Sequence, residues 1–170
     1  MRGNIYLVGF MAAGKTTAGR ILSRELGWKF VDLDRVIEER SGRSIIDIFH
    51  AEGETVFRQH EKEILREIST DPGTVVALGG GSFVDPENRK IARDSGICIF
   101  LDTPFDEILK RLDGHEDRPL ARRQPVELKS LLDARMTSYR DAHFHVPAVG
   151  TPDEVVEAIL QRLKDMEHSE

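Results

Sequence analysis

The 170-residue sequence holds a single cysteine, Cys98, so no internal disulfide can form. A chain of this length buries roughly 70% of its unfolded surface and needs no such staple. There is no excess of positive charge: 24 Lys and Arg against 30 Asp and Glu leave a net charge of -6. That balance argues against a general nucleic-acid binder, which neutralises phosphates with a basic surface. No stretch approaches the ~18 apolar residues of a membrane span. Repeats, low-complexity tracts and linkers are also absent, so a single domain spanning 1-170 is expected. Arg2 and the run Ile5 to Ala13 imitate a secretory leader, but Gly9 interrupts the run and Gly14-Lys15-Thr16 follows directly, so mature structure is expected here. Cys98 lies in the apolar run Ile97 to Leu101, where a buried thiol is the expectation rather than a nucleophile. The lone thiol fits a reducing compartment, and the expected location is cytoplasmic.

What is present is an alternation. Strand-like runs at Asn4 to Val8, Lys29 to Leu33, Thr74 to Leu78, Ile97 to Leu101 and Phe144 to Val149 are separated by stretches with helical apolar spacing, such as Ala18, Ile21, Leu22 and Leu26. This predicts an α/β fold with a mostly parallel sheet covered on both faces. Asp85-Pro86, Thr103-Pro104 and Thr151-Pro152 read as capped helix starts, the last with Glu154 completing a capping box. The polar, aperiodic stretch Asp113 to Pro125 is too long for an idle connection and predicts a mobile functional loop.

Gly9-Phe10-Met11-Ala12-Ala13-Gly14-Lys15-Thr16 matches the phosphate-binding pattern G-x-x-x-x-G-K-[ST], between an apolar strand and an amphipathic helix. The loop N–H groups and the helix N terminus then point at one anion. Lys15 is predicted to reach the β- and γ-phosphates and Thr16 to supply a hydroxyl to Mg²⁺. No Asn-Lys-x-Asp base-reading motif accompanies it, which argues against a GTPase switch, and the length excludes a motor ATPase. A small kinase remains, and the rest of the chain must supply an acceptor site and a lid.

Asp32 and Asp34 follow the second strand, and in extended chain their carboxylates would share one side at the carboxyl end of the sheet. The alternative is that Asp34 caps the helix Arg35 to Arg40. In a helix beginning near Glu52, Glu54, Arg58 and Glu61 fall on one stripe. Arg135 shares a stripe with Leu128, Leu131, Leu132 and Tyr139, where a guanidinium calls for a partner anion. Arg58 and Arg135 could converge as a forked clamp for an acceptor carboxylate, or bridge internally to Glu54 and Glu61. Gly79-Gly80-Gly81 after the third strand would let backbone approach a ligand. His143 and His145 read as strand or surface residues rather than metal ligands.

These residues together resemble the shikimate kinase family, over roughly residues 3 to 163. The resemblance is carried by Gly9 to Thr16, Asp32-Leu33-Asp34, Gly53-Glu54, Phe57-Arg58, Glu61, Gly79 to Gly81, Asn88-Arg89, Arg118-Pro119-Leu120, and Arg135 with Tyr139. It implies transfer of the ATP γ-phosphoryl to the 3-hydroxyl of shikimate in aromatic amino-acid biosynthesis, with Mg²⁺ and ATP as co-substrate. It also implies a three-layer nucleoside monophosphate kinase-like fold with a five-stranded parallel sheet in the order 2-3-1-4-5. The acceptor region would lie at about 34-61 and the lid at about 113-125. By resemblance, Gly9, Ala12, Ala13, Gly14, Lys15, Thr16 and Thr17 form the nucleotide loop. Arg111 stacks on adenine and Arg118 is the lid arginine. Thr16 and, through water, Asp32 serve Mg²⁺. Asp34 binds the shikimate hydroxyls, Arg58 and Arg135 hold its carboxylate, and Gly80 and Gly81 donate backbone hydrogen bonds. Lys15, Asp34 and Arg118 carry the catalysis. A monomer is expected, with small-molecule ligands and neither nucleic acid nor membrane as partner. The chain departs from the family at Ala12, where another glycine is common, at Thr137, where proline is frequent, and at Asp141-Ala142-His143-Phe144. A gluconate kinase of similar architecture and a catalytically silent binding relative are the alternatives.

Overall fold

A computed structural model of the chain describes residues 3–113 and 124–168. Five strands, β1 (Asn4–Val8), β2 (Lys29–Asp32), β3 (Thr74–Ala77), β4 (Gly96–Asp102) and β5 (Phe144–Pro147), form one parallel sheet in the order β2-β3-β1-β4-β5. The expected fold class and strand order are therefore observed; β1 has the predicted bounds and the other four strands differ from their predicted runs by one or two residues at an end. Leu33 leaves the second strand because it opens a helix.

The helices are α1 (Lys15–Leu26), α2 (Leu33–Ser41), α3 (Ile45–Ser69), α4 (Pro86–Ser95), α5 (Phe105–Leu112), α6 (Pro125–Tyr139) and α7 (Pro152–Glu167). Alternation along β1 divides the core. Ile5 and Leu7 pack with Ala18 and Leu22 of α1 and Val156 and Ile159 of α7. Tyr6 and Val8 face the other layer, with Ile37 of α2, Ile64 and Leu65 of α3, Ala92 of α4, Ile108 of α5 and Leu132 of α6. The connection after β1 runs to one face and that after β3 to the other. Their diverging loops open a crevice at the carboxyl end of the sheet, where ligands bind in folds of this type.

The caps explain several boundaries. Asp85 accepts from the N–H groups of Glu87 and Asn88 at 2.8 and 3.1 Å, ahead of Pro86. Thr151 and Glu154 form the expected capping box, and their backbone-to-side-chain bonds measure 2.7 and 3.3 Å. Thr103 is not a cap: it is buried, its hydroxyl is directed at the Ala13 carbonyl 3.5 Å away, and Pro104 precedes α5 instead. Nor does Asp34 cap α2, since Asp32 holds that place and accepts from Arg35 N–H at 3.4 Å. The helix expected near Glu52 is the second part of α3: the element opens at Ile45 after the Ser44 cap and kinks at Gly53, whose φ of 83° and ψ of 173° leave the helical region, so a helical stretch starts anew beside Glu54. Cys98 is fully buried as expected, and burial pushes its thiol up to about 12, a value at which it stays protonated. His143 N–H donates to the Cys98 carbonyl and its Nδ1 accepts from Cys98 N–H, both at 2.9 Å, which makes it an edge partner of β4.

Below the sheet, the buried Asn4 side chain ties three segments. Its Oδ1 accepts from Thr74 N–H at 3.0 Å, and its Nδ2 donates to the Ile68 carbonyl at 3.0 Å and the Tyr6 hydroxyl at 3.3 Å. Removing it orphans the buried Thr74 N–H, whereas the Ile68 carbonyl keeps Asp71 N–H and the Tyr6 hydroxyl keeps Ser95. Asn4→Ala is expected to lower unfolding free energy by about 1–3 kcal/mol, read as a shifted urea midpoint at unchanged slope; a loss below about 0.5 kcal/mol would show that water replaces the amide.

Candidate active site

The loop after β1 turns on residues with left-handed or extended positive φ: Gly9 at 152°, Ala12 at 57° and Gly14 at 90°. The two outer positions hold glycine, for which such angles carry no steric penalty. Ala12 does carry one, and it is the one non-glycine residue with positive φ among the described residues. Lys15 opens α1, and its Nζ donates to the carbonyls of Gly9 and Phe10 at 2.8 and 2.7 Å, closing the side chain over the loop. The Thr16 hydroxyl donates to Asp32 Oδ2 at 2.6 Å and so joins the start of α1 to the end of β2. Ala13 is buried, while Thr17 is exposed on the first turn of α1.

The glycine triplet after β3 has a physical reason that differs from the expected one. None of its members has positive φ, so the glycines are there for space. A methyl group on Gly79 would lie 2.6 Å from Asp34 Oδ1 and 3.1 Å from Glu61 Oε1. On Gly81 it would lie 2.6 Å from Arg58 Nη2, and on Gly80 it would lie 3.4 Å from Arg135 Nη1. Four charged side chains from α2, α3 and α6 thus close on three consecutive residues. The Tyr139 hydroxyl donates to the Gly80 carbonyl at 2.5 Å and fixes this floor from below.

Of the two readings of Arg58, the internal bridge is the one observed. The guanidinium pairs with Glu54 Oε1 at 3.2 Å and Glu61 Oε2 at 2.5 Å, and it lies against Gly81 as well. Burial opposes its charge, but Glu61 and Glu54 outweigh burial and raise its pKa above the ordinary arginine value. Arg135 is placed over the Phe10 ring at 5.7 Å, and among the described residues no carboxylate lies within ion-pair distance of it. Asp32 and Asp34 are brought together, although not through extended chain: β2 ends at Asp32, and Asp34 sits in the first turn of α2. Burial, and next the Asp32 carboxylate, raise Asp34 above its usual range against the pull of Lys15 and Arg58.

Glu61 is the site residue whose weight sequence spacing understated. It is wholly buried, its Oε1 lacks a hydrogen-bond partner, and burial drives its carboxyl up to about 7 despite Arg58. Its place between Phe57 and Ile64, both buried, was the available signal, because that puts it near the inward stripe of α3. Arg111 is not poised over an open space: its Nη1 donates to the Ala12 carbonyl at 3.2 Å and its Nη2 to the Ala148 carbonyl at 3.1 Å. Arg118 and nearly all of the expected lid, 113–125, lie outside the described residues, apart from Asp113, which follows α5, and Gln124 and Pro125 at the start of α6.

A carboxyl raised on folding binds its proton more tightly in the native chain, so native stability from this group is complete below about pH 4.5 and is lost as pH rises through about 7. Glu61→Gln is expected to flatten that decline, which amounts to at most about 3 kcal/mol. Urea unfolding of both chains at pH 5 and pH 8 measures it, and parallel slopes for the two would mean that Glu61 folds with an ordinary pKa.

With this geometry in view, comparison with known proteins is informative. Residues 11–164 match the family model described as shikimate kinase. The shikimate kinase of Persephonella marina is 39% identical over 162 residues, covering 95% of this chain and 99% of the relative. A shikimate kinase from Acinetobacter baumannii, solved in complex with shikimate, superposes with a TM-score of 0.91 at 38% identity, covering 96% of this chain and 93% of that one. A gluconokinase from Sinorhizobium meliloti reaches a TM-score of 0.61 at 15% identity, over 98% of this chain and 94% of its own, which is likeness of fold alone.

Proposed function

The chain belongs to the shikimate kinase family, and on that premise we propose that it transfers the ATP γ-phosphoryl to the 3-hydroxyl of shikimate, giving shikimate 3-phosphate and ADP. The observation that carries the proposal is the closure of Asp34, Arg58 and Arg135 on the Gly79–Gly81 floor, beside a loop built to bind phosphate. An acceptor with one carboxylate and several hydroxyls matches a site with two guanidinium groups and the Asp34 carboxylate, Glu61 being engaged with Arg58.

Phosphoryl transfer asks the protein for positioning and charge stabilisation rather than covalent help. Lys15 exchanges its two loop carbonyls for phosphate oxygens when the nucleotide enters, within a cradle formed by Gly9, Ala12, Ala13, Gly14, Thr16 and Thr17. Arg58 and Arg135 grip the acceptor carboxylate, and the N–H groups of Gly80 and Gly81 steady the ring. Asp34 accepts a hydrogen bond from the reacting hydroxyl. Its raised pKa suits it to take that proton as the oxygen–phosphorus bond forms, since a carboxylate with greater proton affinity is the stronger base. Arg118 reaches the transferred phosphoryl from the lid at about 113-125, and residues of about 34-61 form the acceptor region of a single domain. The hydroxyl of Thr16 and carboxylate of Asp32, 2.6 Å apart, are an all-oxygen pair suited to Mg²⁺, with Thr16 as direct ligand and Asp32 acting through water. Bound there, Mg²⁺ neutralises charge on the β- and γ-phosphates.

No helix among the described residues is long and apolar enough to cross a membrane. We place the enzyme in the cytoplasm as a monomer whose partners are ATP and shikimate. The direct test is coupled ADP release: shikimate should support it, gluconate should not, and omitting Mg²⁺ should abolish it. Turnover of gluconate without shikimate would overturn the assignment. In the same assay, Arg58→Ala and Arg135→Ala should each raise KM for shikimate about 30-fold or more while moving KM for ATP less than about threefold. Equal losses for both substrates would count against the clamp.

A further inference from the structure

Ala12 is held in a conformation that alanine avoids, at the position where the family commonly has glycine. The peptide unit joining Ala12 to Ala13 is secured at both ends. Its N–H donates to the Phe10 carbonyl at 3.3 Å, and its carbonyl accepts from Arg111 Nη1 at 3.2 Å. The second arm of the same guanidinium holds the Ala148 carbonyl at 3.1 Å, just past β5. Arg111 also lies across the mouth of the loop, since a methyl group on Gly14 would meet its Nη1 at 3.7 Å. The arginine stands in the last turn of α5, a helix anchored by the buried Ile108 and Leu112. One planar fork therefore joins the phosphate loop, α5 and the segment after β5.

We infer that Arg111 is a positioning residue for the phosphate loop: by holding the Ala12 carbonyl, it keeps a strained alanine in the left-handed conformation that the anion cradle requires. This rests on the reading of residues 9–16 as a nucleotide site. It is separate from contact with the adenine ring, because it acts through the loop backbone. When the fork is lost, Ala12 can relax to negative φ, which rotates its carbonyl off the guanidinium's position and disturbs the N–H groups that follow. A glycine at position 12 has no such preference and keeps the loop in shape without help. The loss caused by altering Arg111 should then depend on which residue occupies position 12.

The experiment is a double-mutant cycle read by calorimetric binding of inorganic tripolyphosphate in the presence of Mg²⁺, a probe without a base. Arg111→Lys keeps the charge and the stem but not the fork. It is expected to weaken tripolyphosphate about tenfold in the Ala12 chain and less than about threefold when combined with Ala12→Gly, relative to Ala12→Gly alone. KM for shikimate should stay within about twofold of wild type, which a general loss of structure would not allow. Equal weakening in the two backgrounds would overturn the inference. So would unchanged tripolyphosphate binding alongside weakened ATP binding, because Arg111 would then act on the base alone. If the wild-type chain bound neither ATP nor tripolyphosphate, the nucleotide reading itself would fall.

Discussion

Space at three consecutive backbone positions governs the arrangement of the acceptor side. Gly79 and Gly81 leave room that Asp34, Glu61 and Arg58 occupy, and Gly80 leaves room beside Arg135. A side chain at Gly79 or Gly81 would push apart groups whose value lies in their closeness, while a methyl at Gly80 would only touch Arg135. The triplet can serve as a floor because β3 is held between β2 and β1 and ends at the crevice. Tyr139, buried beside Phe100 with ring centroids 5.3 Å apart, supports it from the other side. Packing in the core thus determines where charge can gather above it.

That gathering of charge is costly in isolation. A buried carboxylate with an unpartnered oxygen, Glu61, persists because the Arg58 guanidinium offsets part of its desolvation. Both Asp34 and Glu61 are raised, chiefly by burial, with the Asp32 carboxylate adding to the first and the Asp34 carboxylate to the second. Under the proposed clamp, an anionic ligand between Arg58 and Arg135 would complete the balance: Arg58 is already shared with two glutamates, whereas Arg135 has no carboxylate partner among the described residues. The net charge of -6 says nothing of this, since the cations that matter face one crevice.

Much of the fold was legible because its signals are local. Apolar runs such as Val75 to Leu78 are buried on both faces, as parallel strands require, and Asp85-Pro86 and Thr151-Pro152 carry their caps within four residues. The phosphate loop was legible for the same reason. What escaped depends on distant contacts. Thr103 looks like a cap but is drawn inward toward the Ala13 carbonyl, ninety positions away. Asp32 rather than Asp34 caps α2, because β2 ends one residue sooner than its apolar run suggests. Arg111 carries the family's adenine role by resemblance, and only the fold reveals that it grasps carbonyls 99 and 37 residues away. The purpose of Gly79 and Gly81 is likewise invisible until α2 and α3 are folded over them.

The central claim is that the carboxylate of the acceptor is gripped between Arg58 and Arg135 above the glycine floor. The most direct measurement is calorimetric binding of shikimate and of its uncharged methyl ester to the wild-type chain under identical conditions. Removing the charge while keeping the ring and hydroxyls is expected to weaken binding about 100-fold, the magnitude of losing charge-assisted hydrogen bonds to two guanidinium groups. Binding of the ester within about threefold of shikimate would contradict the clamp.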